Sequence, residues 1–364
     1  MRRPAFLNRD DPRDGPASTS GIDGAAIGGP GSSTRSGATS RSRSRRAGAI
    51  DTLRAQADGD LAPVPAPIDG VRMRPPLVLT IASSDSDGAS GLQADLKTFT
   101  ALGAYGASAV TMVSTVNSQG LRGIHYLPGD VVRSQIDAVA TDLLLDATKI
   151  GALGSAAVVE AVAEAVREHS GSLGRLVLDP VMVGSDGSAL ISAEGATALR
   201  DSLLPLVDVL TPNMAEAAQL LGRPLATSID EMREQALALQ ALGPRAVLIT
   251  GGRLEHDDAV DVLVHPGGTD LLRAERVAGR FVRGAGSTLS AAITAQLARI
   301  EEFSRAGELG EIGDAGSQDD LVTIVASARE FLASAIENAQ GWKVSRHGGT
   351  GYSPLNHLIT LDKA

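Results

Sequence analysis

The feature that most constrains this chain is an alternation that begins at Pro75. Short apolar runs take turns with stretches of helical periodicity: 77–82 then 92–102, 107–116 then 128–142, 147–150 then 156–169, and 175–178 then 193–203. The pattern continues through 207–210, 214–221, 229–242, 246–249, a polar stretch holding 260–264, and 288–299. Apolar runs of this length suit buried strands, and the longer periodic segments suit helices with one apolar face. Strand–helix alternation predicts an α/β fold with a central, mostly parallel sheet flanked by helices on both faces. No Pro/Gly-rich linker interrupts it, so 73–364 reads as one domain. Residues 308–320 (ELGEIGDAGSQDD) read as a flexible acidic insertion between two late helices.

The first 72 residues have a different character. Residues 1–50 hold nine Arg and four Asp, a local charge of +5, in a Ser-, Gly- and Pro-rich context. Such a segment buries too little apolar area to offset its chain entropy, so 1–72 is expected to be a disordered basic extension. No apolar stretch follows Arg2-Arg3 as an export signal requires. Met73, just before the first strand-like run, is a candidate alternative start. The whole chain carries a net charge of −10, which argues against nucleic acid as the main partner. No apolar run approaches the ~18 residues that span a bilayer. Cysteine is absent, which excludes disulfides, thiolate metal sites and a thiol nucleophile. A cytoplasmic protein acting on small molecules is the expectation.

In open α/β sheets, ligands bind beyond the carboxyl ends of the strands, so the residues following each predicted strand are the candidates. After the first comes Ser83-Ser84-Asp85-Ser86-Asp87-Gly88-Ala89-Ser90-Gly91, whose small side chains admit a ligand close to the backbone. An ordinary loop with Ser or Asp caps reads the same way. It is not a phosphate loop: GxxxxGK[ST] is missing, and two aspartates repel phosphate. Asp179, in Asp179-Pro180-Val181-Met182, puts a carboxylate at a strand end, suited to a metal–water site or simply to leaving a strand. Asn213 and Glu216 lie three apart at a helix start, either as a water-mediated Mg²⁺ site or as a capping box. Thr250-Gly251-Gly252-Arg253 allows close backbone approach or a plain turn. Arg283-Gly284-Ala285-Gly286-Ser287-Thr288 feeds a helix N-terminus, where N–H groups and the dipole converge. That makes an anion hole for a transferring phosphoryl group, or a loop whose tightness needs glycine. Histidines 125, 169, 256, 265, 347 and 357 show no metal spacing, and no serine stands in a GxSxG elbow.

Taken in order, residues 76–358 resemble the hydroxymethylpyrimidine/phosphomethylpyrimidine kinases of thiamine biosynthesis, within the ribokinase-like superfamily. The most specific stretch is Gly91-Leu92-Gln93-Ala94-Asp95-Leu96-Lys97-Thr98-Phe99, continuing to Leu102-Gly103-Ala104-Tyr105-Gly106. Lys149-Ile150-Gly151, Asp179-Pro180-Val181-Met182-Val183, Thr211-Pro212-Asn213, Gly251-Gly252, Thr288-Leu289-Ser290-Ala291 and Gly351-Tyr352-Ser353-Pro354-Leu355-Asn356-His357 follow at family spacing. The resemblance implies ATP-dependent phosphorylation of 4-amino-5-hydroxymethyl-2-methylpyrimidine and then of its monophosphate. It implies that Ser83, Asp95, Val116, Ala152 and Val181 line the pyrimidine pocket. Asn213, Thr250 and Gly252 fall to ATP, and Asp179 and Glu216 to Mg²⁺. Arg283, Gly284, Ala285, Gly286 and Ser287 form the catalytic anion hole, and a homodimer is expected.

The sequence departs from that family where the chemistry sits. The family's Gly-Thr-Gly-Cys is Gly284-Ala285-Gly286-Ser287 here, and the preceding histidine is Arg283. Family lysines are replaced by Thr250 and Ser185, the pocket glutamine by Val116 and the pocket methionine by Ala152. A serine hydroxyl is a far weaker acid than a thiol, so Ser287 orients rather than accepts a proton unaided. Arg283 is expected to restore part of the missing positive charge. Two competing readings follow: a catalytically impaired, ligand-binding relative, or a kinase of altered substrate such as pyridoxal.

Overall fold

Strand side chains alternate between two buried layers. Leu176 and Leu178 enter one layer while Val177 enters the other; Val247 and Ile249 oppose Leu248, and Val262 and Val264 oppose Leu263 in the same way. Successive side chains of a strand point to opposite faces, so a sheet covered on both sides needs apolar residues at every position. Such strands therefore read as unbroken apolar runs. A computed structural model describes residues 74–184, 187–252, 254, 258–276, 282–306, 318–346 and 354–359, without the side chains of 302–306 and 318–320. The expected basic extension 1–72, Ser185, Arg253 and residues 308–317 of the acidic insertion lie outside the described residues.

The strands are β1 (Leu77–Asp85), β2 (Tyr105–Asn117), β3 (Gly120–Tyr126), β4 (Ala147–Ile150), β5 (Arg175–Leu178), β6 (Val209–Leu210), β7 (Ala246–Ile249), β8 (Asp258–His265) and β9 (Gly268–Glu275). The helices are α1 (Gly91–Ala101), α2 (Gly129–Ala140), α3 (Ala156–Glu168), α4 (Ala193–Ala198), α5 (Met214–Leu221), α6 (Ile229–Gln240), α7 (Ala285–Ala306) and α8 (Gln318–Glu337). They form one sheet in the order β3-β2-β1-β4-β5-β6-β7-β8-β9. All pairs from β2 across to β7 are parallel, and β3, β8 and β9 join antiparallel at the margins. The mostly parallel α/β sheet expected from the sequence is therefore present.

Helices α2, α3, α5 and α6 supply one layer, with Val132, Ile136, Val159, Val162, Leu220 and Met232 in its core. Helices α7 and α8 cover the opposite face of β5–β8 through Leu289, Ile293, Val325 and Phe331. Phe99 of α1 and Ala291 and Ala295 of α7 meet Val78 and Ala147 there. The chain runs from β1 out to β2 and β3, then returns to the other side of β1 as β4. Strand order thus reverses between β1 and β4, the crevice where such sheets bind ligands. Parallel strands end on one edge, so the loops after β1, β4, β5, β6 and β7 gather on a single side of the sheet.

Four expectations need correcting. Strands β3 and β9 were not foreseen, because neither holds a fully buried residue and an edge strand needs no continuous apolar run. The helix expected over 193–203 stops at Ala198, passes through a wide turn at Leu199–Leu203 and tightens at Leu204–Leu206. Pro205 lacks the N–H that a continuing helix would use. Residues 318–320, assigned to the acidic insertion, open α8 instead. Helix α7 begins at Ala285 and runs past 299 to Ala306. No described helix is long and apolar enough to cross a membrane.

Candidate active site

The turn before α7 is built by a close backbone approach. Gly284 has φ of 87°, and a Cβ there would lie 1.8 Å from the Ala89 carbonyl oxygen, so only glycine fits. The Thr288 N–H donates to the Gly284 carbonyl at 2.9 Å. The N–H groups of Ala285, Gly286 and Ser287 precede that first helical bond and take no partner within the helix. The Thr288 hydroxyl pairs with His357 Nε2 at 2.9 Å, which ties the C-terminal segment to this turn. Burial lowers the His357 pKa to about 4, with the Lys97 charge acting in the same direction, so its imidazole is neutral. Ser290 Oγ donates toward the Gly286 carbonyl (2.9 Å) and stands 3.3 Å from Asp179 Oδ2. Asp179, just beyond β5, therefore sits beside the first turn of α7.

Asp179 and Glu216 form the electrostatic centre of this edge. Burial pushes the Asp179 carboxyl up to about 6; the Lys149 charge opposes the rise and Asp95 adds to it. Burial likewise pushes Glu216 up to about 8, reinforced by the Asp179 charge and resisted by the Asn213 and Met182 N–H groups. Glu216 is held by a capping box: Asn213 Oδ1 accepts from the Ala215 and Glu216 N–H groups (2.9 and 3.1 Å), while Glu216 Oε2 accepts from the Asn213 N–H (2.9 Å). Both readings of Asn213 and Glu216 thus coexist, since the cap orients the carboxylate that a cation would use. Two buried carboxylates that oppose each other's ionisation are a hard-oxygen donor pair suited to Mg²⁺. No group of three metal-ligating side chains occurs among the described residues. Phosphate and water oxygens would have to complete the shell, as is usual for this ion.

The nucleotide candidates converge at the ends of β6 and β7. Asn213 and Thr250 are bridged in parallel, and the Thr250 N–H donates to the Pro212 carbonyl at 3.0 Å. A Cβ at Gly251 would meet the Val260 carbonyl oxygen at 2.0 Å, so this glycine serves packing, and its N–H donates to Asp261 Oδ1 (2.8 Å). Gly252 is exposed, and its carbonyl accepts from Arg276 Nη1 at 2.7 Å.

On the acceptor side, Ser83 and Val181 are half-buried, while Val116 and Ala152 are buried. Ser86 Oγ brackets Val116 by bonding both its carbonyl and its N–H at 2.8 Å, which joins the β1–α1 loop to the end of β2. Ala152 accepts from Thr111 Oγ1 at 2.7 Å. Asp95 is placed differently from the pocket-lining role that its motif suggested. It is fully buried, with one oxygen on Lys149 Nζ and the other on Thr80 Oγ1, both at 2.7 Å. Its carboxylate ties α1 to strands β1 and β4. A cavity of about 460 Å³ is lined by Asp87–Ala89 of the same loop with Lys97, Trp342 and His357, and not by Ser83, Val116, Ala152 or Val181.

A family model described as phosphomethylpyrimidine kinase matches residues 85–311. The hydroxymethylpyrimidine/phosphomethylpyrimidine kinase of Streptomyces coelicolor is 44% identical over 283 residues, covering 78% of this chain and 94% of that protein. The chain belongs to the phosphomethylpyrimidine kinase family. Its solved neighbours include pyridoxal kinases. That of Bacillus subtilis, in an ADP complex, matches with a TM-score of 0.66 and 33% identity over 80% of this chain and all of that one. That of Staphylococcus aureus, bound to AMP-PCP and pyridoxal, gives 0.65 and 31% over 78% and 94%. The fold is ribokinase-like, as the resemblance implied.

Within this family the structure corrects one expectation about charge. Arg283 does not stand in for the absent lysines, because its guanidinium is already committed to Asp85 (2.9 Å) and Asp87 (3.3 Å). Motif reading missed Lys149 as the partner of Asp95, Ser290 as the link between α7 and Asp179, and Arg276 on the Gly252 carbonyl. Only the first carried a signal, a lysine inside an otherwise apolar run.

Proposed function

We propose that this protein transfers the γ-phosphoryl group of MgATP to the hydroxymethyl oxygen of 4-amino-5-hydroxymethyl-2-methylpyrimidine and then to the resulting monophosphate. The observation that carries this reading is the convergence of Asp179, Glu216 and the first turn of α7 on one sheet edge, with Ser290 joining helix to carboxylate. Asp179 and Glu216 would hold Mg²⁺, which when bound neutralises phosphate charge. The N–H groups of Ala285, Gly286 and Ser287 receive the charge on the transferring group's oxygens. A bond forms between the acceptor oxygen and γ-phosphorus as the bridging oxygen–phosphorus bond to ADP breaks, and the hydroxyl proton passes to a phosphate oxygen and on to water. Phosphoryl transfer relies chiefly on such positioning and charge stabilisation, so a site without a strong base remains competent. Ser287 orients the acceptor hydroxyl, Asn213, Thr250 and Gly252 flank the nucleotide, and Ser83, Val116, Ala152 and Val181 bound the acceptor ring.

Ala152 and Val116 leave this pocket roomier and less polar than the family's, which favours pyridoxal as the second acceptor. We read the protein as a cytoplasmic homodimer. The test is a coupled assay of the full chain with MgATP, offering hydroxymethylpyrimidine, its monophosphate and pyridoxal separately, with products confirmed by mass. Turnover of the two pyrimidines is expected. Turnover of pyridoxal alone would reassign the acceptor, and no product from folded protein would mark an impaired ligand-binding relative.

A further inference from the structure

Three features meet at Arg283: the glycine turn that follows it, two aspartates of the β1–α1 loop, and the close approach of Gly284 to Ala89. Arg283 Nη2 lies 2.9 Å from Asp85 Oδ2 and 3.3 Å from Ser90 Oγ, while Nη1 lies 3.3 Å from Asp87 Oδ2. The guanidinium side chain is 11% exposed, against 2% for Asp85 and 27% for Asp87. Asp85 also organises its own loop, accepting from the Asp87 N–H (3.0 Å), the Ser90 N–H (2.8 Å) and Ser90 Oγ (2.7 Å). The Asp85 N–H in turn donates to Gln93 Oε1 at 2.7 Å, anchoring the loop to α1. The arginine therefore grips a loop that is braced independently of it.

Asp85 and Asp87 are a liability in a phosphate-handling site. Left unpaired, their charges would oppose any anion at the neighbouring turn, and partly buried charges are poorly screened. We propose that Arg283 is a charge-neutralising strap: it cancels Asp85 and Asp87 and holds the glycine turn against Ala89, so that the N–H groups of the first turn of α7 face an anion without a competing negative field. This assignment rests on the phosphotransferase reading of the site. It makes Arg283 a positioning residue that acts through the aspartates, with no phosphate contact of its own.

The strap and a direct phosphate ligand predict opposite double-mutant behaviour. If Arg283 touched phosphate, Asp87→Asn would free it and tighten binding more in wild type than in Arg283→Gln. On the strap account, Asp87→Asn relieves the repulsion that Arg283→Gln exposes. The experiment measures AMP-PCP affinity in Mg²⁺ by calorimetry, and kcat and KM in the assay above, for the full-length wild type and four variants. These are Arg283→Lys, Arg283→Gln, Asp87→Asn and Arg283→Gln/Asp87→Asn. Arg283→Gln is expected to weaken nucleotide binding about tenfold, the double variant to recover to within about threefold of wild type, and Arg283→Lys to fall between. An Arg283→Gln variant that binds as wild type, or a double variant no better than the single, would overturn the strap. Should Arg283→Gln fail to fold, Asp87→Asn alone carries the test: with Asp87 already cancelled by the arginine, affinity within about twofold of wild type is expected, and a gain of about tenfold, as from an arginine freed to reach phosphate, or a loss of that size overturns it. The affinity arm judges the strap even if wild type shows no turnover, which would defeat the kinase reading alone. A wild type that binds no nucleotide defeats both.

Discussion

The phosphate side and the acceptor side of this site are made of different materials. Around α7 we assign the work mainly to backbone, a glycine turn fixed by a 1.8 Å exclusion and N–H groups ahead of the first helical bond, with the Asp179 carboxylate beside them. On the acceptor side we assign substrate reading to side chains, Val116 and Ala152, with Asp95 withdrawn into its Lys149 pair. Backbone geometry survives substitution so long as glycines and packing remain, whereas recognition by side chains changes with each residue. The residues differ most from the family where side-chain chemistry is required: Ser287, Thr250, Val116 and Ala152. On this reading the chain keeps the backbone elements of the site more fully than its side chains, on the phosphate side as well as the acceptor side.

That contrast is open to direct attack. The largest effect is expected from Asp179→Asn, which should lower kcat by about a hundredfold or more, as removal of an electrostatic element of a transfer site does. The same change should raise the thermal midpoint of the metal-free protein, because it deletes a buried carboxylate that Glu216 repels. A variant that loses both stability and activity would mean that Asp179 is structural. Next comes Val116→Gln, which supplies an amide where the family carries one. It should lower KM for the pyrimidine about tenfold, the equivalent of ~1.4 kcal/mol and of one satisfied polar contact, while leaving nucleotide affinity unchanged. A shift in nucleotide affinity instead would collapse the distinction between the two sides.

The smallest effect concerns pH. Asp179 and Glu216 titrate higher in the folded protein than their ordinary values of 3.8 and 4.5, at about 6 and about 8. The folded state thus holds protons that the unfolded chain has released. Their contribution to stability is full below those ordinary values and is lost as pH rises through about 6 and about 8. His357, lowered from 6.5 to about 4, acts in the opposite sense as pH falls below 6.5, so the carboxylates are seen cleanly above it. The thermal midpoint of metal-free protein should fall from pH 6.5 to 8.5, and Mg²⁺ should reduce that fall. A flat profile would remove the repulsive pair from the account.

Much of the scaffold was legible because burial leaves a periodic trace. Strands β4, β5 and β7 and helix α5 occupy the runs that the apolar pattern marked, since each is enclosed on the faces that the pattern reports. Strands β3 and β9 left no such trace at the sheet margins. The site was legible wherever one short segment sufficed: the capping box of Asn213 and Glu216, and the glycine turn at 284–286. It was illegible wherever two distant segments meet. Lys149 reaches Asp95 across 54 positions and Arg283 reaches Asp87 across 196, and no local pattern announces either pairing. Arg283 shows the cost of reading a charge without its partner: the sequence suggested a spare cation, and the fold had already committed it.

In the proposed mechanism the backbone at the start of α7 carries phosphoryl transfer while the Ser287 hydroxyl only assists. Single-turnover rates with saturating MgATP and the pyrimidine alcohol, compared between Ser287→Ala and Gly284→Ala in protein verified as folded, test it most directly. Ser287→Ala should keep its rate within about tenfold of wild type, while Gly284→Ala, whose Cβ cannot coexist with the Ala89 carbonyl, should lose at least about a hundredfold. A Ser287→Ala protein as inactive as Gly284→Ala would contradict the account and return the chemistry to the side chain.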